Sequence, residues 1–161
     1  MTFDEQPPQL PWLRPEWIAH AGRLVTCFRR WLGKDLIPPQ PTPEQTARAL
    51  FEAPAVIVSH DAGADPLLNY GNRTALSLWE MDIPTLVLTP SRLTAEPVHR
   101  EERARLLERT TEHGYVDDYA GIRISRSGRR FRIERATVWN LLDEADKLIG
   151  QAATFTRWQF L

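Results

Sequence analysis

The longest helical pattern lies near the start of the chain. Apolar side chains recur there at the i, i+3, i+4 and i+7 positions of four successive turns, from Trp17 to Leu32. Pro15 suits the first turn of a helix, because its missing N–H would have no partner there, and Gly33 suits the end. The pattern predicts an amphipathic helix that covers one face of a sheet.

A proline-rich connector at 38–41 separates this helix from a shorter one, which is predicted to start near Thr42 or Thr46, with Pro43 near its first turn, and to run to about Glu52. The β-branched run at 55–59 is typical of a buried strand, and 67–70 follows a turn as its hairpin partner. Asn72 then suits the N-cap of a helix that runs through Trp79. This part of the chain therefore predicts helix, strand, strand and helix.

The second half begins with apolar residues 83–90, bounded by prolines, which are interpreted as loop and short turns. A second long helix is predicted from 94–97 to His113, with Gly114 as its end. Three strands are predicted after it, at 115–125, 130–142 and 148–160.

Alternation along 130–142 places apolar residues on both faces, so both faces are expected to be covered. It also places Arg135 on one of these apolar faces. A buried charge without a partner is costly, so a carboxylate is expected beside it. The candidates for that carboxylate are Glu96, Asp117 and Asp118.

The order of elements predicts an α+β fold with a five-stranded antiparallel sheet of the PAS-like kind. Helices are inserted between the second and third strands, and the amphipathic helix precedes the sheet. Residues 1–13 are predicted to form a flexible N-terminal arm, and 14–161 a single domain.

Composition adds mainly exclusions. The net charge is -1, which gives no general attraction to nucleic acid, and the single cysteine, Cys27, allows no internal disulfide. No apolar run reaches the roughly 20 residues of a membrane span, and the N-terminus is unlike a signal peptide. A cytoplasmic protein is expected, without direct contact to nucleic acid or membrane.

Three segments carry a resemblance to a known family. They are Asn-Tyr-Gly-Asn-Arg-Thr-Ala-Leu at 69–76, Pro-Ser-Arg-Leu-Thr-Ala-Glu-Pro at 90–97, and Arg-Ser-Gly-Arg-Arg-Phe at 126–131. Together they resemble the MEKHLA domain, a PAS-like family of short bacterial proteins that also occurs at the C-terminus of plant class III homeodomain–leucine zipper transcription factors. The resemblance covers about 15–160 and is of the standalone bacterial type. It implies a sensory or regulatory domain that is not an enzyme, and it brings neither a ligand nor a catalytic residue.

Six residues are candidates for ligand binding. Trp79, Tyr119 and Trp139 are candidate walls of an apolar pocket, although such aromatics also serve as plain core. The polar candidates are Arg92, Glu96 and Arg135. Arg92 and Glu96 either clamp a polar ligand or form an ion pair that braces their loop. Contact at the three polar residues is predicted to shift how the helices lie on the sheet.

The cofactor stays unknown from the sequence. Flavin–thiol photochemistry needs a cysteine on an inserted helix, whereas Cys27 lies on the first helix. His99 is a candidate haem ligand, but its highly charged surroundings indicate a solvated position. The turn that carries His60, Asp61 and Asp65 is interpreted as local hairpin chemistry, so no metal site is predicted.

Three functions compete. The first is a sensory domain that binds a small molecule and acts through a protein partner, since a standalone chain has no attached output domain. The second is a module without a ligand that forms a homodimer or binds a protein through the apolar stripe of the first helix. The third, more distant, is an enzyme of the ketosteroid-isomerase-like fold with Asp117, Asp118 or His113 as acid or base.

Overall fold

The computed structural model describes residues 10–161. Most of the predicted N-terminal arm, 1–9, lies outside the described residues. The rest of the arm belongs to the fold, because Pro11–Leu13 form a 3₁₀ turn and the buried Trp12 ring packs 5.3 Å from the Phe51 ring. Pro11–Leu13, which the sequence assigned to the arm, therefore pack with the domain.

Five α-helices occur in the described residues. Their bounds are Pro15–Leu32 (α1), Pro43–Glu52 (α2), Arg73–Trp79 (α3), Ile83–Leu86 (α4) and Pro97–His113 (α5). Gly33 ends α1 with a φ of 68°, which only glycine adopts at little cost. The segment 83–90, interpreted as loop, contains the single turn of α4, which the Asp82 side chain caps by accepting from the Thr85 N–H.

Six strands form one antiparallel sheet in the order β2-β1-β5-β4-β3, with β6 beside β4. The strands are Val56–Asp61 (β1), Leu68–Gly71 (β2), Tyr115–Ile124 (β3), Arg130–Leu142 (β4), Leu148–Phe155 (β5) and Arg157–Phe160 (β6). Helices α3, α4 and α5 are inserted between β2 and β3, so the predicted α+β class is confirmed. The difference lies at the end, where a bend at Thr156 divides the predicted last strand into two.

Two irregularities interrupt the pairing of β3 with β4. Asp118 has a φ of 55° and Arg135 a φ of 51°. Each lies at a β-bulge, where its strand has one residue more than the strand that pairs with it. A one-residue gain reverses which face the following side chains occupy. Ile133 and Ala136, three residues apart, therefore share a face.

The interpretation of Arg135 as a charge on an apolar face is wrong for this reason. The bulge turns Arg135 out of the alternation, and its side chain is exposed to solvent. It therefore needs no carboxylate. Asp117 and Asp118, two of the partners suggested for it, are exposed as well.

The two faces of the sheet carry separate cores. Helices α1 and α2 cover one face, with a core that includes Trp17, Leu24, Phe28, Leu50 and Trp139. Helices α3 and α5 cover the other, with a core that includes Trp79, Leu106, Tyr119, Phe131 and Phe155. The prediction that the first helix covers one face is confirmed, and its apolar stripe is used within the chain.

One buried side chain, Asn72, joins α2, β1 and α3. Its Oδ1 accepts from the N–H groups of Ile57 at 3.1 Å and Ala75 at 3.0 Å. Its Nδ2 donates to the carbonyl oxygens of Leu50 at 3.2 Å and Ala55 at 2.8 Å. Buried backbone groups require partners, so this amide fixes where α3 leaves the sheet.

Candidate ligand-binding cavity

A cavity of about 70 Å³ lies between the sheet and α5. Strands β1, β2, β3, β4 and β5 contribute to its wall, together with α3, α5 and the 3₁₀ turn Ser91–Thr94, whereas α1 and α2 contribute nothing. The apolar part of the wall includes Leu68, Leu106, Ile133, Val138 and Phe155. The cavity therefore belongs to the face of the sheet that the inserted helices cover.

Two arginines stand in this wall. Arg123 on β3 is only 7% exposed, and it donates to the Ile122 carbonyl at 2.9 Å and to the Tyr119 hydroxyl at 3.3 Å. Arg103 on α5 is partly buried and donates to the Ser91 hydroxyl. Within residues 10–161, no carboxylate forms an ion pair with either guanidinium.

The two positive charges act on each other. Burial, and next the positive charge of Arg123, lower the pKa of Arg103 to about 10. That pKa is still well above neutral pH, so Arg103 remains charged there, as arginine does throughout folded proteins. The cavity wall thus carries two cations without an anion, which makes it attractive to a negatively charged group.

The position of the Tyr119 ring depends on Gly121. A Cβ on Gly121 would come within 2.8 Å of the Tyr119 Cζ atom, so the ring lies over this glycine and no larger residue fits below it. Residues two apart on a strand share a face, which places Arg123 next in the same row. The row therefore aims the Tyr119 hydroxyl at the Arg123 guanidinium.

His60 presents an unused acceptor. Its Nδ1 lies 2.7 Å from the Asp61 carbonyl oxygen, which can only accept, so Nδ1 carries the proton of the neutral ring. Burial lowers the pKa of His60 and favours that neutral form. The opposite nitrogen, Nε2, is buried without a hydrogen-bond partner, and so is the Nε1–H of Trp79.

Gln151 on β5 connects the cavity wall to α5. Its Nε2 lies 3.0 Å from three acceptors, namely the Leu107 carbonyl, the Thr111 hydroxyl and the Asn140 Oδ1. The first two belong to α5 and the third to β4. The amide therefore fixes how α5 lies on the sheet beside the cavity.

The three aromatic candidates separate between the two faces. Trp79 and Tyr119 line the cavity. Trp139 lies on the opposite face, where its ring packs edge-on at 5.0 Å from Phe28. It lies there because the bulge at Arg135 reverses the alternation before it.

The three polar candidates do not meet, and none lines the cavity. Arg92 is exposed and pairs with Asp65 at 3.2 Å, while Glu96 lies 3.8 Å from Arg130. The ion pair expected between Arg92 and Glu96 is therefore replaced by two separate pairs. Arg135, as described above, faces solvent.

Sequence reasoning missed Arg103 and Arg123 altogether and gave His60 only a role in its turn. A signal existed for both arginines. Arg103 occupies the i position of a buried stripe that continues at Leu106, Leu107 and Thr110. Arg123 lies four residues after Tyr119 on the same predicted strand and so shares its face, and Tyr119 was already a candidate wall of the pocket.

Comparison with known proteins identifies the family. The MEKHLA domain model matches residues 18–160. This chain belongs to the MEKHLA domain family. Two homeobox-leucine zipper proteins of Arabidopsis thaliana, ATHB-9 and ATHB-14, are each 26% identical to it over 98 residues. That match covers 61% of this MEKHLA chain but only 12% of each plant protein.

Solved structures share the fold of this MEKHLA domain. A PAS domain from Colwellia psychrerythraea has a TM-score of 0.61 at 14% identity, over 73% of this chain and 95% of that one. A light-oxygen-voltage domain studied with a flavin analogue has a TM-score of 0.57 at 14% identity, over 73% and 84%. The aureochrome1 light-oxygen-voltage domain has a TM-score of 0.55 at 17% identity, over 77% and 88%. The predicted PAS-like fold is confirmed.

The cavity does not fit a flavin. Its volume of about 70 Å³ is far below the roughly 300–1,000 Å³ typical of sites for larger organic ligands. Cys27 lies on the other face of the sheet, with its Sγ 3.4 Å from the Leu142 nitrogen. His99, considered for haem, is partly exposed in the first turn of α5 and does not line the cavity.

Other site classes find little support in the part of the chain that the structure describes. Residues 10–161 hold no group of three His, Cys, Asp or Glu side chains placed to bind a metal. None of their helices combines the length and apolar character that crossing a membrane requires. His113, Asp117 and Asp118, named for an isomerase-like enzyme, are exposed and lie outside the cavity wall.

Proposed function

We propose that this MEKHLA domain is a sensory domain that binds a small molecule in the cavity between the sheet and α5, without catalysing a reaction on it. The observation that carries the proposal is the set of unpaired polar groups in the wall. His60 Nε2 and Trp79 Nε1 are buried without partners, and Arg103 and Arg123 lack counter-ions among residues 10–161. Native proteins pair nearly all such groups, so a bound molecule supplies what the wall lacks.

The output of such a sensor lies in α5. A ligand in the cavity touches α5 on one side and β3 and β1 on the other. Gln151, whose amide joins α5 to the sheet, stands in the same wall. Binding therefore shifts the balance between two positions of α5, and a protein partner reads that position.

The alternative of an interaction module without a ligand loses its main support. The apolar stripe of α1 packs on the sheet of the same chain, where Ala21, Leu24 and Phe28 are at most 4% exposed. It is not free to cover a second chain. Contact with a protein partner or a second copy remains a prediction for other surfaces.

Filling the cavity tests the proposal. Ala136 is 2% exposed in the wall, so Ala136→Leu places a larger side chain where the ligand would lie. Ala104→Leu adds the same atoms to an exposed position of α5 and serves as the control. We expect native mass spectrometry to show an added small-molecule mass on the wild type and the control, and none on Ala136→Leu.

A thermal-shift screen against a mixed library of neutral, cationic and anionic compounds accompanies the mass measurement. We expect at least one compound to raise the Tm of the wild type and of Ala104→Leu, but not of Ala136→Leu, because a ligand stabilises only the state that binds it. Equal binding to Ala136→Leu would place the site elsewhere. No added mass and no stabilising compound would contradict the proposed function.

A further inference from the structure

The two arginines of the cavity wall lack, among the described residues, the carboxylate partners that several surface arginines of this chain have. On the surface, Arg23, Arg30 and Arg92 each pair with a carboxylate, at 3.1, 2.6 and 3.2 Å. Surface pairs contribute little to stability, whereas a buried charge without a partner is costly. Arg103 and Arg123, the two arginines of the cavity wall, are away from bulk solvent and still pair with no carboxylate among residues 10–161.

The surroundings of these two arginines hold the guanidinium groups without neutralising them. Arg123 donates to a carbonyl and to the Tyr119 hydroxyl, and Arg103 donates to Ser91. All of these partners are uncharged. A guanidinium has five N–H donors, so both retain donors for a further acceptor, and a carboxylate matches their planar geometry.

The rest of the wall limits what can carry that carboxylate. Leu68, Leu106, Ile133 and Phe155 make it apolar, which suits a hydrocarbon body better than a strongly hydrated phosphate. An engineered cavity of about 150 Å³ is large enough to bind benzene. The volume of about 70 Å³ is roughly half of that, so the molecule must be smaller.

We propose that the ligand is a small organic carboxylate of about two or three carbons, bound with its carboxylate between Arg103 and Arg123 and its carbon chain against the apolar wall. This inference rests on the proposed function, because it requires the cavity to be a binding site. A hydroxyl on the ligand adds a contact, since His60 Nε2 is a buried acceptor without a donor. A hydroxy acid is therefore expected to bind about tenfold more tightly than the same acid without the hydroxyl.

The direct test is binding of defined probes to the full chain by calorimetry and thermal shift. The probes are acetate, propionate and glycolate, their amides, and inorganic phosphate. Arg103→Met and Arg123→Met remove one charge each, Arg123→Lys keeps it, and Arg132→Met on the exposed side of β4 is the matched control. We expect the carboxylates to bind and the amides not to bind. Arg103→Met and Arg123→Met should each lose about 30-fold or more in affinity, Arg123→Lys should lose less because it keeps the charge, and Arg132→Met should be unchanged.

The protein without ligand provides a second readout. Replacing Arg123 by Met removes an uncompensated buried charge, so we expect the Tm of the ligand-free protein to rise by about 2–4 °C. Arg132→Met should leave it unchanged. A fall in Tm for Arg123→Met would show that this arginine is structural and would overturn the inference.

The remaining outcomes distinguish a wrong ligand class from the absence of a small-molecule site. If amides bind as well as carboxylates and the arginine variants bind normally, the carboxylate is wrong but the small-molecule site stands. If phosphate alone binds, a different oxyanion occupies the site and the inference fails. If no probe binds while another compound still loses binding in Ala136→Leu, the inference fails and the proposed function survives.

Discussion

At the scale of single residues, His20 shows how α1 is fixed to the sheet. Its Nε2 lies 2.8 Å from the Ser59 hydroxyl, which donates its own proton to the Asn69 Oδ1 at 2.6 Å. Ser59 must therefore accept from His20, so Nε2 carries the proton of the neutral ring. Burial, and next the positive charge of Arg23, lower the pKa of His20 to about 4.

The lowered pKa predicts a loss of stability in mild acid. In the unfolded chain His20 binds a proton below about pH 6.5, while in the folded chain it resists protonation down to about pH 4. The unfolded state therefore gains protons first, and stability falls as the pH drops through this window, by about 2 kcal/mol at pH 5.

His20→Gln tests this, because glutamine keeps a donor for Ser59 but does not titrate. We expect urea unfolding at pH 7 and pH 5 to show a pH-dependent loss that is about 2 kcal/mol smaller in His20→Gln than in the wild type. His60 is present in both proteins and cancels from the comparison. Equal losses in the two proteins would contradict the assignment to His20.

At the scale of elements, the bulges explain where sequence reasoning stopped. Helices α1, α2, α3 and α5 follow from periodicity and caps, because these signals are local and agree with the packing. The faces of β4 do not follow, since strict alternation assumes that no residue is inserted. The left-handed residues that insert one, Asp118 and Arg135, are not glycines, and although aspartate tolerates this region, neither residue lies beside a glycine or proline that would mark a turn.

The cavity was hidden for a related reason. Trp79 and Tyr119 were candidates for the pocket wall because they are aromatic. Arg103 was not a candidate, because it lies in a helix rich in charge, where an arginine is expected to face solvent. Only the packing of α5 on the sheet shows which charges turn inward. Arg135 was expected on an apolar face but is exposed because of the bulge, whereas Arg123, which was not a candidate, is buried.

The bulge makes a prediction about Arg135 itself. The left-handed region costs a residue with a side chain about 1–2 kcal/mol of conformational free energy, and more when the side chain is β-branched. The cost is smallest for glycine. We expect urea unfolding to give Arg135→Val a free energy of unfolding about 1–2 kcal/mol below that of Arg135→Gly. Arg135→Gly should be at least as stable as the wild type. The opposite order would mean that β4 relaxes to regular pairing.

At the scale of the whole molecule, the sheet divides the chain into two halves of different purpose. The part before β1 covers one face and contributes nothing to the cavity, while the part between β2 and β3 covers the other face and closes the cavity against the sheet. The net charge of -1 conceals the two positive charges collected at the cavity. Whole-chain composition therefore gave no sign of an anion site.

The position of Cys27 has a practical consequence. It is the one cysteine of the sequence, buried on α1 against the Leu142 backbone. A thiol reagent such as Ellman's reagent can reach it only when α1 leaves the sheet, so the rate of labelling counts those openings. We expect labelling in native buffer to be slower by orders of magnitude than in the urea-unfolded chain, and prompt labelling would show a loosely held α1. The single thiol of the protein therefore reports, without any introduced label, how often its first helix detaches from the sheet.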